Sequence, residues 1–178
     1  MTGTAPEFAR RVRLDTLGPE PRAIDIAADE GERAALARRF GLVAIDRLEA
    51  HARISREGAA VLAEGRILAD ATQSCVATGD PVPAHIDEPF ALRFEPEAAC
   101  APEEVELEEG DLDVLPYSGG AVDLGEAAAQ GFALALDPFP RAPRAEERLR
   151  AAGVRTEEEA EAERREASPF AMLKQLKK

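Results

Sequence analysis

Leu48-Glu-Ala-His-Ala-Arg-Ile-Ser-Arg-Glu-Gly-Ala-Ala-Val-Leu-Ala-Glu-Gly-Arg-Ile-Leu-Ala69 is the stretch that decides the fold. Leu48, Ala50, Ala52 and Ile54 fall on one side of a period of two, with His51 and Arg53 on the other. A strand sends alternate side chains to opposite faces, so the pattern describes a sheet with one buried face. Glu57-Gly58 interrupts it with turn chemistry, and Val61, Ala63, Gly65, Ile67 and Ala69 resume the alternation. After the break at Pro81–Pro83, a third segment sets Phe90, Leu92 and Phe94 against Ala91, Arg93 and Glu95. The connections are too short for parallel crossovers, so an antiparallel β-meander is expected, as a sheet or a partial barrel.

Upstream, residues 8–14 put Phe8, Val12 and Leu14 opposite Arg11 and Arg13, which reads as a half-buried strand; Ile24 and Ile26 mark another. Between them lies the turn Leu17-Gly18-Pro19-Glu20-Pro21. Asp29 with Glu32 has capping-box spacing, Leu36 and Phe40 share a helical face, and Gly41 is a natural stop. Together they predict a helix over about 30–40. Downstream, Val105 and Leu107 suggest a short strand, and Pro116-Tyr-Ser-Gly-Gly reads as a turn. Asp123 with Glu126 repeats the helix-start spacing, followed by a small-residue face of Leu124, Ala127, Ala128, Gly131, Phe132 and Ala135. That helix should end before Pro138. The expected class is therefore α+β, with two main helices covering one face of the meander and a helical C-terminal tail.

A chain of 178 residues makes one domain with a tail. We place the domain at 1–143, a charged linker or marginal helix at 144–167, and an amphipathic motif at 168–178. In that motif Ser168 suits an N-cap and Pro169 the first helical position, with Phe170, Leu173 and Leu176 along one face. No apolar run approaches the ~20 residues a membrane span needs, and Met1–Glu7 lacks a basic-then-apolar signal pattern. Two cysteines, Cys75 and Cys100, are too few for a disulfide framework, so the expectation is cytoplasmic, with no membrane contact.

Charge is unevenly distributed. Residues 1–60 hold ten Arg and ten Asp or Glu, whereas residues 61–160 hold seven bases against 22 acids. From Glu95 to Asp113 there are nine acids and no base, and all three Lys lie in the last five residues. The acidic stretch reads either as a solvated loop or as a docking face for a basic partner. Its candidate contacts are Glu103, Glu104, Glu106, Glu108 and Glu109, joined by Phe170, Leu173 and Leu176 if the C-terminal stripe docks on a partner rather than at home. Candidate RNA contacts are Arg10, Arg11, Arg13, Arg38 and Arg39, although no aromatic interleaving suggests base stacking. His51 and His85 sit in no triad spacing, and Gly119-Gly120 lacks the Lys-Ser/Thr of a phosphate loop. Neither a catalytic residue nor a cofactor is expected.

Gln73-Ser-Cys-Val-Ala-Thr-Gly-Asp-Pro-Val-Pro, the Asp123-Leu124 helix start and Ser168-Pro-Phe-Ala-Met-Leu-Lys-Gln-Leu-Lys-Lys together resemble the YceD family, which is linked to accumulation of large-subunit ribosomal RNA. Many proteins of that kind carry a Cys-x-x-Cys here and a second Cys pair near the end of the domain, a set that suits tetrahedral zinc. Here Thr78 stands at the second position, and Asp137-Pro-Phe-Pro-Arg-Ala-Pro holds no Cys. No metal is therefore expected, and Cys75 reads as a small buried hydrophobe ending a strand. The resemblance implies an effect on large-subunit ribosomal RNA levels. The expectation for this chain is a non-enzymatic factor supporting maturation of large-subunit precursors, its acidic face and C-terminal motif holding a basic ribosomal protein or another assembly factor. The alternative is an RNA-binding module working directly on precursor RNA.

Overall fold

A computed structural model describes residues 6–97, 113–155 and 157–167. In chain order its elements are β1 (Arg11–Arg13), a 3-10 turn (Leu14–Thr16), β2 (Arg22–Ala27), α1 (Glu30–Phe40), β3 (Ala44–Glu57), β4 (Ala60–Ser74), β5 (Pro81–Pro96), β6 (Asp113–Tyr117), β7 (Ala121–Asp123), α2 (Leu124–Ala135), α3 (Ala145–Ala151) and α4 (Glu157–Ala167). The content is mixed α+β.

The quoted stretch forms the centre of a five-stranded sheet ordered β2-β3-β4-β5-β6. β3 and β4 make a hairpin closing at Glu57↔Ala60, and β5 pairs along β4 from Val61↔Phe94 to Ser74↔Pro81, both antiparallel. Gly58 adopts φ 64 in the hairpin turn, a conformation that costs a residue without Cβ little. The expected meander therefore holds for β2 to β5. A partial barrel does not form, because the sheet stays open with β2 and β6 at opposite edges. β6 also departs from the meander, lying parallel to β5 from Leu92↔Asp113 to Pro96↔Tyr117. Sixteen residues, 97–112, separate these strands, and a parallel return needs a connection of about a dozen or more.

The strand expected over 8–14 is reduced to β1, because its partner β7 is only three residues long and Leu14 turns into the 3-10 helix. Pro116 and Tyr117 end β6 rather than opening a turn; the turn is Ser118-Gly119-Gly120, with Gly119 at φ 78. The strand expected around Val105 and Leu107 lies outside the described residues.

Both main helices start as the sequence predicts. Asp29 accepts from the Glu32 N–H at 2.8 Å while the Glu32 carboxylate accepts from the Asp29 N–H at 2.8 Å, and Gly41 closes α1 in the left-handed region. Asp123 caps α2 by accepting from the N–H groups of Gly125 and Glu126, without a reciprocal bond from Glu126. The two helices cover the same face of the sheet and meet where the Phe40 and Phe132 rings pack edge-on, 6.1 Å apart. Between helices and sheet, Leu36 and Phe132 from the helices and Leu48, Ile54, Val61 and Ile67 from the strands are each under 2% exposed. A Cβ added at Gly131 would stand 2.7 Å from Ile67 Cδ1, so the missing side chain sets how closely α2 rides on β4. The stretch expected as a charged linker or marginal helix contains α3 and α4, which raises the helix count among the described residues to four. Ala145 of α3 is buried and Arg148 forms an ion pair with Asp80, so α3 is held against the β4–β5 turn.

Candidate functional site

The arginines named as candidate RNA contacts divide into two sets. Arg10 clamps Glu32 through two bonds of 2.6 and 2.7 Å, donates to the Ala27 carbonyl at 2.8 Å and stacks over Phe8. The guanidinium holds the Glu32 carboxyl below its ordinary value of 4.5. Arg39 grips Glu126 at 2.7 and 2.9 Å and reaches Glu7 at 3.0 Å, again lowering the Glu126 carboxyl. Arg13 pairs with Asp15. Of the five, only Arg11 and Arg38 are exposed without an ion-pair or side-chain hydrogen-bond partner among the described residues. A phosphate contact needs a guanidinium free to neutralise it, and three of the five are engaged internally.

The sheet face opposite the helices carries the two histidines. His51 Nδ1 lies 2.8 Å from Asp25 and His85 Nδ1 lies 2.7 Å from Asp70, while Arg66 pairs with Asp87 and Arg93 with Glu95. The two His–Asp pairs and Arg66–Asp87 cross between neighbouring strands, and polar cross-strand pairs are a common way to solvate a bare face. Among the described residues no Ser or Cys hydrogen-bonds to either His–Asp pair.

Cys75 is buried at the sheet tip. The segment after α2 folds back onto that tip: the Val76 N–H donates to the Pro140 carbonyl at 2.9 Å and the Gln73 side chain to the Asp137 carbonyl at 2.8 Å. The Ala142 N–H and the Thr78 hydroxyl, aided by the N–H groups of Ala77 and Thr78, lower the Cys75 thiol to about 7. The fold thus brings together the two segments in which the resemblance implies paired cysteines. Hydrogen bonds join them here, and among the described residues no three His, Cys, Asp or Glu side chains converge as metal ligands. The simple reading of Cys75 as an inert small hydrophobe misses these donors, which act from two to 67 positions away in the chain.

Glu103, Glu104, Glu106, Glu108, Glu109, Phe170, Leu173 and Leu176 lie outside the described residues. What the structure fixes is where the acidic stretch is anchored. It leaves β5 after Pro96 and re-enters at Asp113 on β6, so both ends belong to one edge of the sheet. At that edge a cleft of about 850 Å³ opens between β5–β6 and α2, walled by Phe90, Leu92, Leu115, Val114 and Leu134. Glu88 and Asp113 stand on its lining, exposed and without ion-pair partners among the described residues. Sequence reasoning missed this cleft. Its one local signal is Leu134, a large aliphatic outside the small-residue face of α2, and it is 86% exposed.

A family model described as "Large ribosomal RNA subunit accumulation protein YceD" matches residues 63–177, more than half of the chain. No curated protein and no solved structure matches. The matched span takes in the Cys75 tip, the acidic stretch and its β5–β6 anchor, and the C-terminal motif. No described helix is long and apolar enough to cross a membrane.

Proposed function

The chain belongs to the YceD family, and from that premise we propose that it is a non-enzymatic factor that holds a basic partner during assembly of the large ribosomal subunit. The family's description carries a role in accumulation of large-subunit ribosomal RNA. The partner in our reading is a basic ribosomal protein or another assembly factor, met by Glu103, Glu104, Glu106, Glu108 and Glu109. The observation that supports this is the placement of both ends of the acidic stretch, nine acids and no base from Glu95 to Asp113, at one sheet edge. Like charges gathered at one edge raise the local potential and speed encounter with an opposite charge. The cytoplasm is the compartment this reading requires.

Reversing all five glutamates to lysine tests it by co-sedimentation with large-subunit precursors. Association is expected to fall, and to fall most at low salt, where screening is weakest. Unchanged association overturns the acidic-face reading. If association then disappears on RNase treatment or in an Arg11→Ser, Arg38→Ser variant, direct RNA contact through the N-terminal third takes its place.

A further inference from the structure

We infer that the C-terminal segment 168–178 seats its Phe170, Leu173 and Leu176 stripe in the cleft between α2 and the β5–β6 edge of its own domain. The cleft offers what such a stripe needs. Its walls are apolar, Leu134 stands 86% exposed at its side, and its described lining contains acids but no base. The segment supplies the complement, three apolar residues at a spacing of three and every lysine of the chain, Lys174, Lys177 and Lys178. Glu88 and Asp113 are the carboxylates those lysines would meet.

The tether is long enough. α3 is held beside Asp80, and the cleft begins near Glu88 and Phe90, nine strand residues from Pro81 or roughly 30 Å. From Ala151 to Phe170 the chain has nineteen residues. Ala152–Val154 turn back on α3, so from Val154 the α4 residues at about 1.5 Å each and the remaining links at about 3.3 Å bring the reach to roughly 33 Å. Seating the tail at home leaves the acidic stretch, and not the tail, as the partner contact, so this inference stands or falls separately from the function proposed above.

Two experiments on the full chain test it. Leu134→Asp and Phe170→Asp are each expected to lower Tm by at least about 5 °C, and the double variant to lie no lower than the worse single. A fully exposed leucine over an empty cleft would tolerate Leu134→Asp, so an unchanged Tm for either single, or additive losses, overturns the inference. A loss with Leu134→Asp alone points to cover by residues 98–112 instead. Carbodiimide condensation of the unaltered protein then joins lysine amines to nearby carboxylates as amides, with loss of water. Mass spectrometry of the monomer should find Lys174, Lys177 or Lys178 joined to Glu88 or Asp113. Such links confined to a dimer place a second copy's tail in the cleft, and their absence from both species leaves the tail elsewhere; either result overturns the inference.

Discussion

In the corner where β1 meets the start of α2, Arg10 and Arg39 are each held by several acceptors, whereas at the β5–β6 edge Glu88 and Asp113 have no ion-pair partner among the described residues. Net charge alone would rank the first region as neutral and the second as acidic. Pairing says more. The basic corner uses its charges to join distant segments, and no described residue neutralises the two carboxylates of the acidic edge. A surface offers a partner only what the fold has not already bound.

The sharpest way to break that contrast is to force the corner apart. A Cβ at Gly125 would stand 2.1 Å from the Phe8 carbonyl oxygen and 2.9 Å from the Arg10 nitrogen, both backbone atoms that cannot swing aside. Gly125→Ala should cost about 3 kcal/mol or more in denaturant unfolding. A cost below about 1 kcal/mol would mean that the corner is loosely assembled and the contrast unfounded.

Next in size come the carboxylates. Glu32→Gln and Glu126→Gln should each cost about 1 kcal/mol, since both pairs are partly exposed though bidentate. The sign with pH follows from the lowered carboxyls. Their contribution is fully present above the ordinary value of 4.5 and is lost as pH falls through the lower folded values. The double variant should therefore lose less stability than the native chain between pH 5 and 3. Coincident acid-unfolding curves would show that the pairs contribute nothing. The smallest effect belongs to Arg11→Ser and Arg38→Ser, which should stay within about 0.5 kcal/mol because both side chains are exposed and neither has a partner among the described residues. A loss above about 1 kcal/mol would erase the distinction between engaged and free arginines.

The elements legible in the sequence are those whose cause is local. Period two through Leu48–Ile54 and Val61–Ala69 specified the hairpin, and Asp29, Glu32 and Gly41 specified α1 at both ends. What escaped was non-local. β6 is parallel to β5 because of where a sixteen-residue return lands, and no residue in Asp113–Tyr117 encodes that direction. Pro116 read as a turn, yet an edge strand tolerates proline, whose missing N–H can face away from the ladder. The ion pairs were equally invisible, since Arg10 finds Glu32 across 22 positions and Arg39 finds Glu126 across 87. The five candidate arginines therefore looked alike as RNA contacts until their acceptors were known. The acidic candidates differ in kind: the sequence named the residues, and the fold adds the edge to which they are anchored.

The Arg10 N–H donates to the Asp123 carboxylate across 113 positions, at 2.8 Å. During synthesis at about 5–20 residues per second, Arg10 leaves the peptidyl-transferase centre roughly 6–20 s before its acceptor is made. Phe8, fully buried in the finished protein, shares its core with Leu124 and Phe132 and has to wait through much the same interval. The hairpin and α1 can form while elongation continues, so Phe8 and Arg10, made before them, find their place after them.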